Sequence, residues 1–219
     1  MERTFSYESA PCDDKDALLA QLADLTARLR AADSFEAAEN VCLEADAFNS
    51  RVQTLATLVS IRHSIDTRDE FYSGESDWWD ENRPLLAEGT NAFQQALYAS
   101  PYRPELEAKY GSVVFKNLEL ALKSFSPEII PEMQRENALV TEYDKLIASA
   151  QIEFEGGVYT VAQMGPLQQD PDDERRRAAW TATGAWFQSQ GDELDRLYDE
   201  LVKLRDGMGR KLGYDGYTE

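Results

Sequence analysis

The chain has 219 residues, and 22 Lys and Arg stand against 41 Asp and Glu, leaving a net charge of −19. A surface this acidic repels phosphate, which excludes nucleic acid and anionic membranes as partners, and no stretch approaches the ~20 apolar residues of a membrane span. Apolar residues at 42% and aromatics at 11% suit a packed chain of one large domain or two small ones rather than disorder.

The opening, Met1-Glu2-Arg3-Thr4-Phe5-Ser6-Tyr7, lacks the apolar core of a secretory signal, so a cytoplasmic location is expected. Cys12 and Cys42 lie 30 residues apart, match neither a redox pair nor a zinc clip, and read as reduced, packed thiols. The first helix is marked by Leu18, Leu22, Leu25, Leu29 and Ala32, with Asp13, Asp14 and Asp16 at its positive end. Ser34 can cap a second, longer helix. There Ala38, Val41, Ala45, Phe48, Val52, Leu55 and Val59 alternate steps of three and four, a narrow seam facing a partner helix.

Residues 66–100 are helical but carry Gly74 and Pro84, and the proline predicts a kink or restart near Asn82. Phe71, Tyr72, Trp78 and Trp79 point to more than one face and read as core. After the breaker Pro101-Tyr102-Arg103-Pro104, a helix over residues 105–125 breaks at Gly111. The next opens on Ser126 and Pro127, with Ile130, Met133, Val140, Tyr143, Ile147 and Ala150 on its inner face and Asn137 fixing register.

The period then changes to two. Residues 151–161 predict a hairpin turning at Gly156-Gly157, with Phe154 opposite Tyr159 and Ile152 opposite Val161. Its open edge can serve as a plain flap or accept an extended peptide. A turn at Met164-Gly165-Pro166 leads to a helix capped by Asp170 with Pro171 first, whose Arg175, Arg176 and Arg177 point three ways and pair with acidic neighbours. Gly191 marks a boundary before the last helix, lined by Leu194, Leu197, Leu201, Leu204, Met208 and Leu212 and ending near Gly213. The expected fold is mainly α: a multi-helix bundle with long kinked helices and one short hairpin. It forms one helical domain over residues 1–219, with a weak internal boundary at residues 162–170.

The chemistry is bounded by a count of one. His63 is the single histidine, so neither H-E-x-x-H nor paired Glu-x-x-His sites can be built, and Ser60 stands three residues before it. No phosphate-cradling glycine loop and no Gly-x-Ser-x-Gly elbow occurs, and Cys42 on the second helix makes no dyad with His63. No residue is assigned as catalytic, substrate-binding or metal-ligating.

Several segments together resemble the oligoendopeptidase F family, zinc peptidases related to thimet oligopeptidase. They are residues 57–72 (Thr-Leu-Val-Ser-Ile-Arg-His-Ser-Ile-Asp-Thr-Arg-Asp-Glu-Phe-Tyr), 122–130 (Leu-Lys-Ser-Phe-Ser-Pro-Glu-Ile-Ile), 142–155 (Glu-Tyr-Asp-Lys-Leu-Ile-Ala-Ser-Ala-Gln-Ile-Glu-Phe-Glu), 171–180 (Pro-Asp-Asp-Glu-Arg-Arg-Arg-Ala-Ala-Trp), 201–205 (Leu-Val-Lys-Leu-Arg) and 211–214 (Lys-Leu-Gly-Tyr). The family carries its H-E-x-x-H helix and a further Glu ligand in a later part, and no position here matches them. The resemblance therefore implies an N-terminal region that forms one wall and the lid of a channel, with zinc and its attacking water in the C-terminal catalytic part. It implies short peptides as substrates, no zinc in this chain and no activity of the chain alone. A wall parted from its other half should present an apolar face, covered by a neighbour or by a second copy as a dimer. The alternative is a stand-alone helical protein–protein interaction module using the seam Ala38–Val59. A small enzyme working with acidic residues alone is the third reading, and the reading frame past Glu219 discriminates the first two.

Overall fold

A computed structural model describes residues 14–218; Cys12 and Asp13 lie outside them. The helices are α1 (Lys15–Ala31), α2 (Phe35–Ile65), α3 (Glu70–Tyr98), α4 (Arg103–Tyr110), α5 (Ser112–Lys123), α6 (Ile130–Ala148), α7 (Val161–Leu167), α8 (Asp173–Ser189) and α9 (Gly191–Lys211), with strands β1 (Ile152–Phe154) and β2 (Gly157–Tyr159). The fold is mainly α with one hairpin. Two compact units divide it: residues up to Gln134 with Arg210–Tyr214, and Arg135–Gly209 with the residues from Asp215 on.

In the first unit, α1 starts where the Asp14 carboxylate accepts from the N–H groups of Asp16 and Ala17, and α2 where the Ser34 hydroxyl accepts from Ala37 N. Leu18, Leu22, Leu25 and Leu29 of α1 are buried with Ala38, Val41, Ala45, Phe48 and Val59 of α2 and Trp79, Leu86, Phe93 and Ala96 of α3 in one core. The seam on α2 thus finds its partners inside the chain. Gly89 lets α1 and α3 meet closely, since a Cβ there would stand 2.9 Å from Leu22 Cδ1 and 3.3 Å from Leu22 Cβ. A second cluster, Leu106, Phe115 and Leu118, joins α4 and α5, which break at Gly111 with a left-handed φ of 95°.

Of the kink or restart expected near Asn82, the restart does not occur: α3 runs through Pro84 as one helix. Side-chain donors serve carbonyls on the preceding turns, where Asn82 Nδ2 donates to Trp78 O at 2.8 Å and Gln134 Nε2 to Glu81 O at 2.7 Å. The aromatic cluster is only partly core: Trp79 is buried, while Phe71 is exposed at the α2–α3 turn with Ile61 and Ile65.

In the second unit, Ile152, Phe154, Met164 and Ala179 form a cluster under the hairpin. The register is Ile152↔Tyr159, Glu153↔Val158 and Phe154↔Gly157, so the turn falls at Glu155-Gly156, both with positive φ, and not at Gly156-Gly157. The shift is by two residues, so Ile152, Phe154 and Tyr159 still share the packed face. Residues 164–166 are helical, not a turn, because Thr160 and Gln163 close a capping box ahead of them. Asp172 caps α8 instead of Asp170, whose Oδ1 accepts from Asp172 N at 2.9 Å one step earlier.

The inner face expected on α6 is also corrected, since Val140 and Tyr143 are exposed and Leu139 is buried. The reason is polar: Arg135 bonds Glu142 and Glu200, and Arg196 of α9 bonds the same two carboxylates, closing a ring of two guanidinium and two carboxylate groups. Leu139 lies between Arg135 and Glu142 on that face, and Val140 and Tyr143 lie a step further round the helix.

Two measurements check this packing. Gly89→Leu should destabilise the first unit by about 1–3 kcal/mol in a urea melt, because overpacking against Leu22 outweighs the ~1 kcal/mol that a helical Gly forgoes. Glu39 ties α2 to α4 by bonds from Lys109 Nζ (2.5 Å) and the Tyr110 hydroxyl. The Lys109 bond, then the Tyr110 bond, hold its carboxyl below the usual carboxylate range. A depressed folded-state pKa adds stability above the unfolded value that is lost as pH falls. Melts across pH should therefore show Glu39→Gln less stable than the parent at pH 7, with the two curves converging below about pH 4.

Candidate functional site

The residues singled out by sequence do not converge. His63 sits on α2, buried at 7% exposure, and its Nε2 has no hydrogen-bond partner. Cys42 is half-buried on α2, and burial with the Glu39 charge pushes its thiol up to about 11, so it is no nucleophile at neutral pH. Arg175 is taken up by Glu155 and Asp170, and Arg176 by Asp173 and the Asp170 carbonyl. The hairpin strands have three residues each, and an edge so short gives an added peptide little to pair with. Among the described residues no group of three His, Cys, Asp or Glu side chains could hold a metal ion.

What the first unit does build is a cleft of about 760 Å³ between α2 and α3, closed at one side by Phe125. Helical spacing makes it. Asn49, Gln53 and Ala56 recur at steps of four and three on α2, and Trp79, Arg83, Leu86, Thr90 and Gln94 at steps of three or four on α3. Each set is one helix face beside the seam. Val52, Ala56, Leu86, Ala87 and Phe125 supply apolar surface, while amides and hydroxyls supply the polar groups. The volume lies within the range of small-ligand sites, and eight of the fourteen lining residues are polar.

Charge sets the cleft apart. Almost one residue in five of the chain is acidic, 41 of 219, yet none of the fourteen lining residues is. Arg83 is the one cation among them. Its Nη2 donates to Gln53 Oε1 at 3.1 Å, and among the described residues it makes no ion pair. Arg28, Arg135, Arg175, Arg196 and Arg205 are held by carboxylates, whereas Arg83 is an exposed side chain whose guanidinium bonds only an amide among the described residues. Asn91 lines the cleft while 7% exposed, and its Oδ1 accepts from Gln95 Nε2 at 2.7 Å.

Sequence reasoning missed these residues because polar positions flanking a helical seam look like a solvated face. A signal was present: residues 47–65 and 89–104 contain no Asp or Glu at all. Both stretches contribute to the cleft walls.

Three solved structures are similar over nearly the whole chain. One is described as PZ peptidase A with an inhibitor (36% identity, TM-score 0.90), covering 98% of this chain and 38% of its own. Two are assigned as oligoendopeptidase F. The first shares 39% identity at TM-score 0.91, covering 98% of this chain and 37% of its own. The second, from Bacillus anthracis strain Ames, shares 33% identity at TM-score 0.92, covering 97% and 39%. This chain thus spans less than two fifths of the length of each. Comparison with curated proteins gives no significant match. The sequence model of the peptidase M3 N-terminal domain matches residues 5–125, more than half of the chain, and the chain belongs to that family.

Proposed function

We propose that the chain is the N-terminal, channel-wall region of an oligoendopeptidase F-like zinc metallopeptidase, which hydrolyses short peptides in the cytoplasm together with a C-terminal catalytic part. The observation that carries this reading is the similarity to three peptidase structures over 97–98% of the chain, at 33–39% identity. No helix among the described residues is long and apolar enough to cross a membrane.

Zinc does not fit the residues present. His63 is the chain's one imidazole, and among the described residues no group of three His, Cys, Asp or Glu side chains could hold the ion. No step of bond cleavage is therefore assigned to this chain. Its part is shape, binding and orientation: a wall that admits an extended peptide and turns away a folded one leaves the peptide held for chemistry elsewhere. The outer surface of α5 supports a covering part, because Val113, Val114 and Leu120 are exposed while Phe115 and Leu118 are buried on its other side. A helix apolar on both sides belongs in an interior, and we assign its cover to the C-terminal part in preference to a second copy. The stand-alone interaction module loses its support, because the seam it would offer is occupied by α1 and α3.

The test is a chimera in which this chain replaces the matching N-terminal segment of the 39%-identical oligoendopeptidase F, assayed on a quenched fluorescent short peptide. Chelator-sensitive cleavage by the chimera and none by the purified chain are expected. Hydrolysis by the purified chain would overturn the assignment, as would a chimera that folds and binds zinc but cleaves nothing.

A further inference from the structure

Helix α2 is apolar along two opposite sides, and only one of them is covered by α1 and α3. Two positions beyond the buried Val41, Ala45, Phe48, Ala56 and Val59, about 200° round the helix, stand Leu43, Ala47, Ser50, Leu58 and Ile61, and Thr54 and Ile65 complete the row. Leu43, Ile61 and Ile65 are 53%, 50% and 79% exposed. Ala47 and Ser50 are exposed, and Thr54 and Leu58 are half-buried. Thr54 Oγ1 donates to Ser50 O at 2.7 Å, which leaves that hydroxyl no proton for water. The row runs about 33 Å along the helix.

It reads the same in both directions. Its steps are four, three, four, four, three and four, so it is symmetric about Thr54. An antiparallel copy of α2 centred there sets Thr54 against Thr54, Ser50 against Leu58, Ala47 against Ile61 and Leu43 against Ile65. Flanking the centre, each small residue faces a large one, which is what interdigitation needs. Helices that cross at about 20° separate toward their ends, and there the two large residues Leu43 and Ile65 meet. A two-fold interface requires a patch that complements itself in this way.

Charge selects the same partner. Between Leu43 and Ile65, α2 carries Glu44 and Asp46 against Arg51 and Arg62 and no net charge, in a chain of net charge −19. Glu44 is already bonded to Arg28. A basic partner is drawn to the acidic surface elsewhere, whereas a copy of this chain is repelled by that surface and comes close only along a neutral face. We propose that the outward side of α2 is a homodimer interface, in which two copies pair this helix antiparallel about Thr54.

The test is sedimentation velocity on the purified chain up to about 100 μM, with cysteine cross-linking to read the register. A reversible dimer is expected. Its dissociation constant should rise at least tenfold in Ile61→Glu with the helical circular dichroism kept, because Ile61 is exposed. In a Cys12→Ser, Cys42→Ser background under mild oxidant, Thr54→Cys should form a disulfide-linked dimer, and a mixture of Ala47→Cys and Ile61→Cys chains a mixed one. Ile61→Cys by itself should not link, since its two copies stand about 21 Å apart along the pair, far beyond the reach of a disulfide. A chain that stays monomeric, a dimer untouched by Ile61→Glu, or Ile61→Cys linking as readily as Thr54→Cys would overturn the inference. So would a chimera with the C-terminal part that is monomeric where the chain is dimeric, which gives this face to that part. Association is read without cleavage, so the dimer and the peptidase assignment stand or fall by separate measurements.

Discussion

The approach of α1 to α3 at Gly89 is the constraint on which the first unit rests. Leu18, Leu22, Leu25 and Leu29 of α1 are buried to 2–3% exposure because no side chain at residue 89 holds the helices apart. Burying a leucine is worth roughly 1.5–3 kcal/mol, so this one missing Cβ governs much of the apolar stabilisation of α1. It also positions α3, and with it every cleft residue that α3 carries. The path from sequence to site is short here: a glycine sets a helix spacing, and the spacing sets where Arg83 and Asn91 stand.

The helices of this unit are unequal. At about 1.5 Å per residue α1 is about 25 Å long, against about 46 Å for α2, so α1 cannot line α2 from end to end. Ile61, Ile65 and Phe71, at the α2–α3 turn, stay exposed. Polar residues such as Asn49 and Gln53 are tolerated on α2 because they flank the seam and do not enter it. The cleft is thus a by-product of how two long helices pair, and its walls carry no acidic side chain. Clearing carboxylates from a surface this negative lowers the repulsion that an approaching anion meets, and the effect is local because salt screens charges beyond about 8–10 Å.

Much of the fold was legible. Helical periodicity gave α1, α2 and α9, Ser34 gave the start of α2, and the carboxylates of Asp13, Asp14 and Asp16 marked the front of α1 without choosing its cap. Gly111 gave the break between α4 and α5, since a left-handed φ favours glycine. The errors have physical sources too. Asp170-Pro171-Asp172-Asp173 offers three carboxylates within four residues, and periodicity cannot choose among them. Pro84 should break a helix in isolation, but the Gln134 donor to Glu81 O comes from 53 positions away and lies outside any local rule. Val140 and Tyr143 fell on the wrong side because the face of α6 toward α9 is held by charge, which an apolar count does not see. The hairpin kept its packed face despite a misplaced turn, since strand faces repeat every two residues. The cleft itself was written as an absence, two acid-free stretches far apart in sequence, and only folding brings them to one place.

The ring formed by Arg135, Glu142, Arg196 and Glu200 joins partners 54 to 65 positions apart in the chain. Closing so long a loop carries an entropic cost that grows only slowly with length, about 0.6 kcal/mol for each doubling. Structure formed earlier within the intervening stretch shortens the effective span, and the hairpin with α7 and α8 lies wholly inside it. Ribosomal synthesis delivers these pieces before α9 is complete. The order of assembly that follows has Met164 and Ala179 enclosed first and the charged ring closed last, so α9 would be the first part of this unit to let go when the protein begins to unfold.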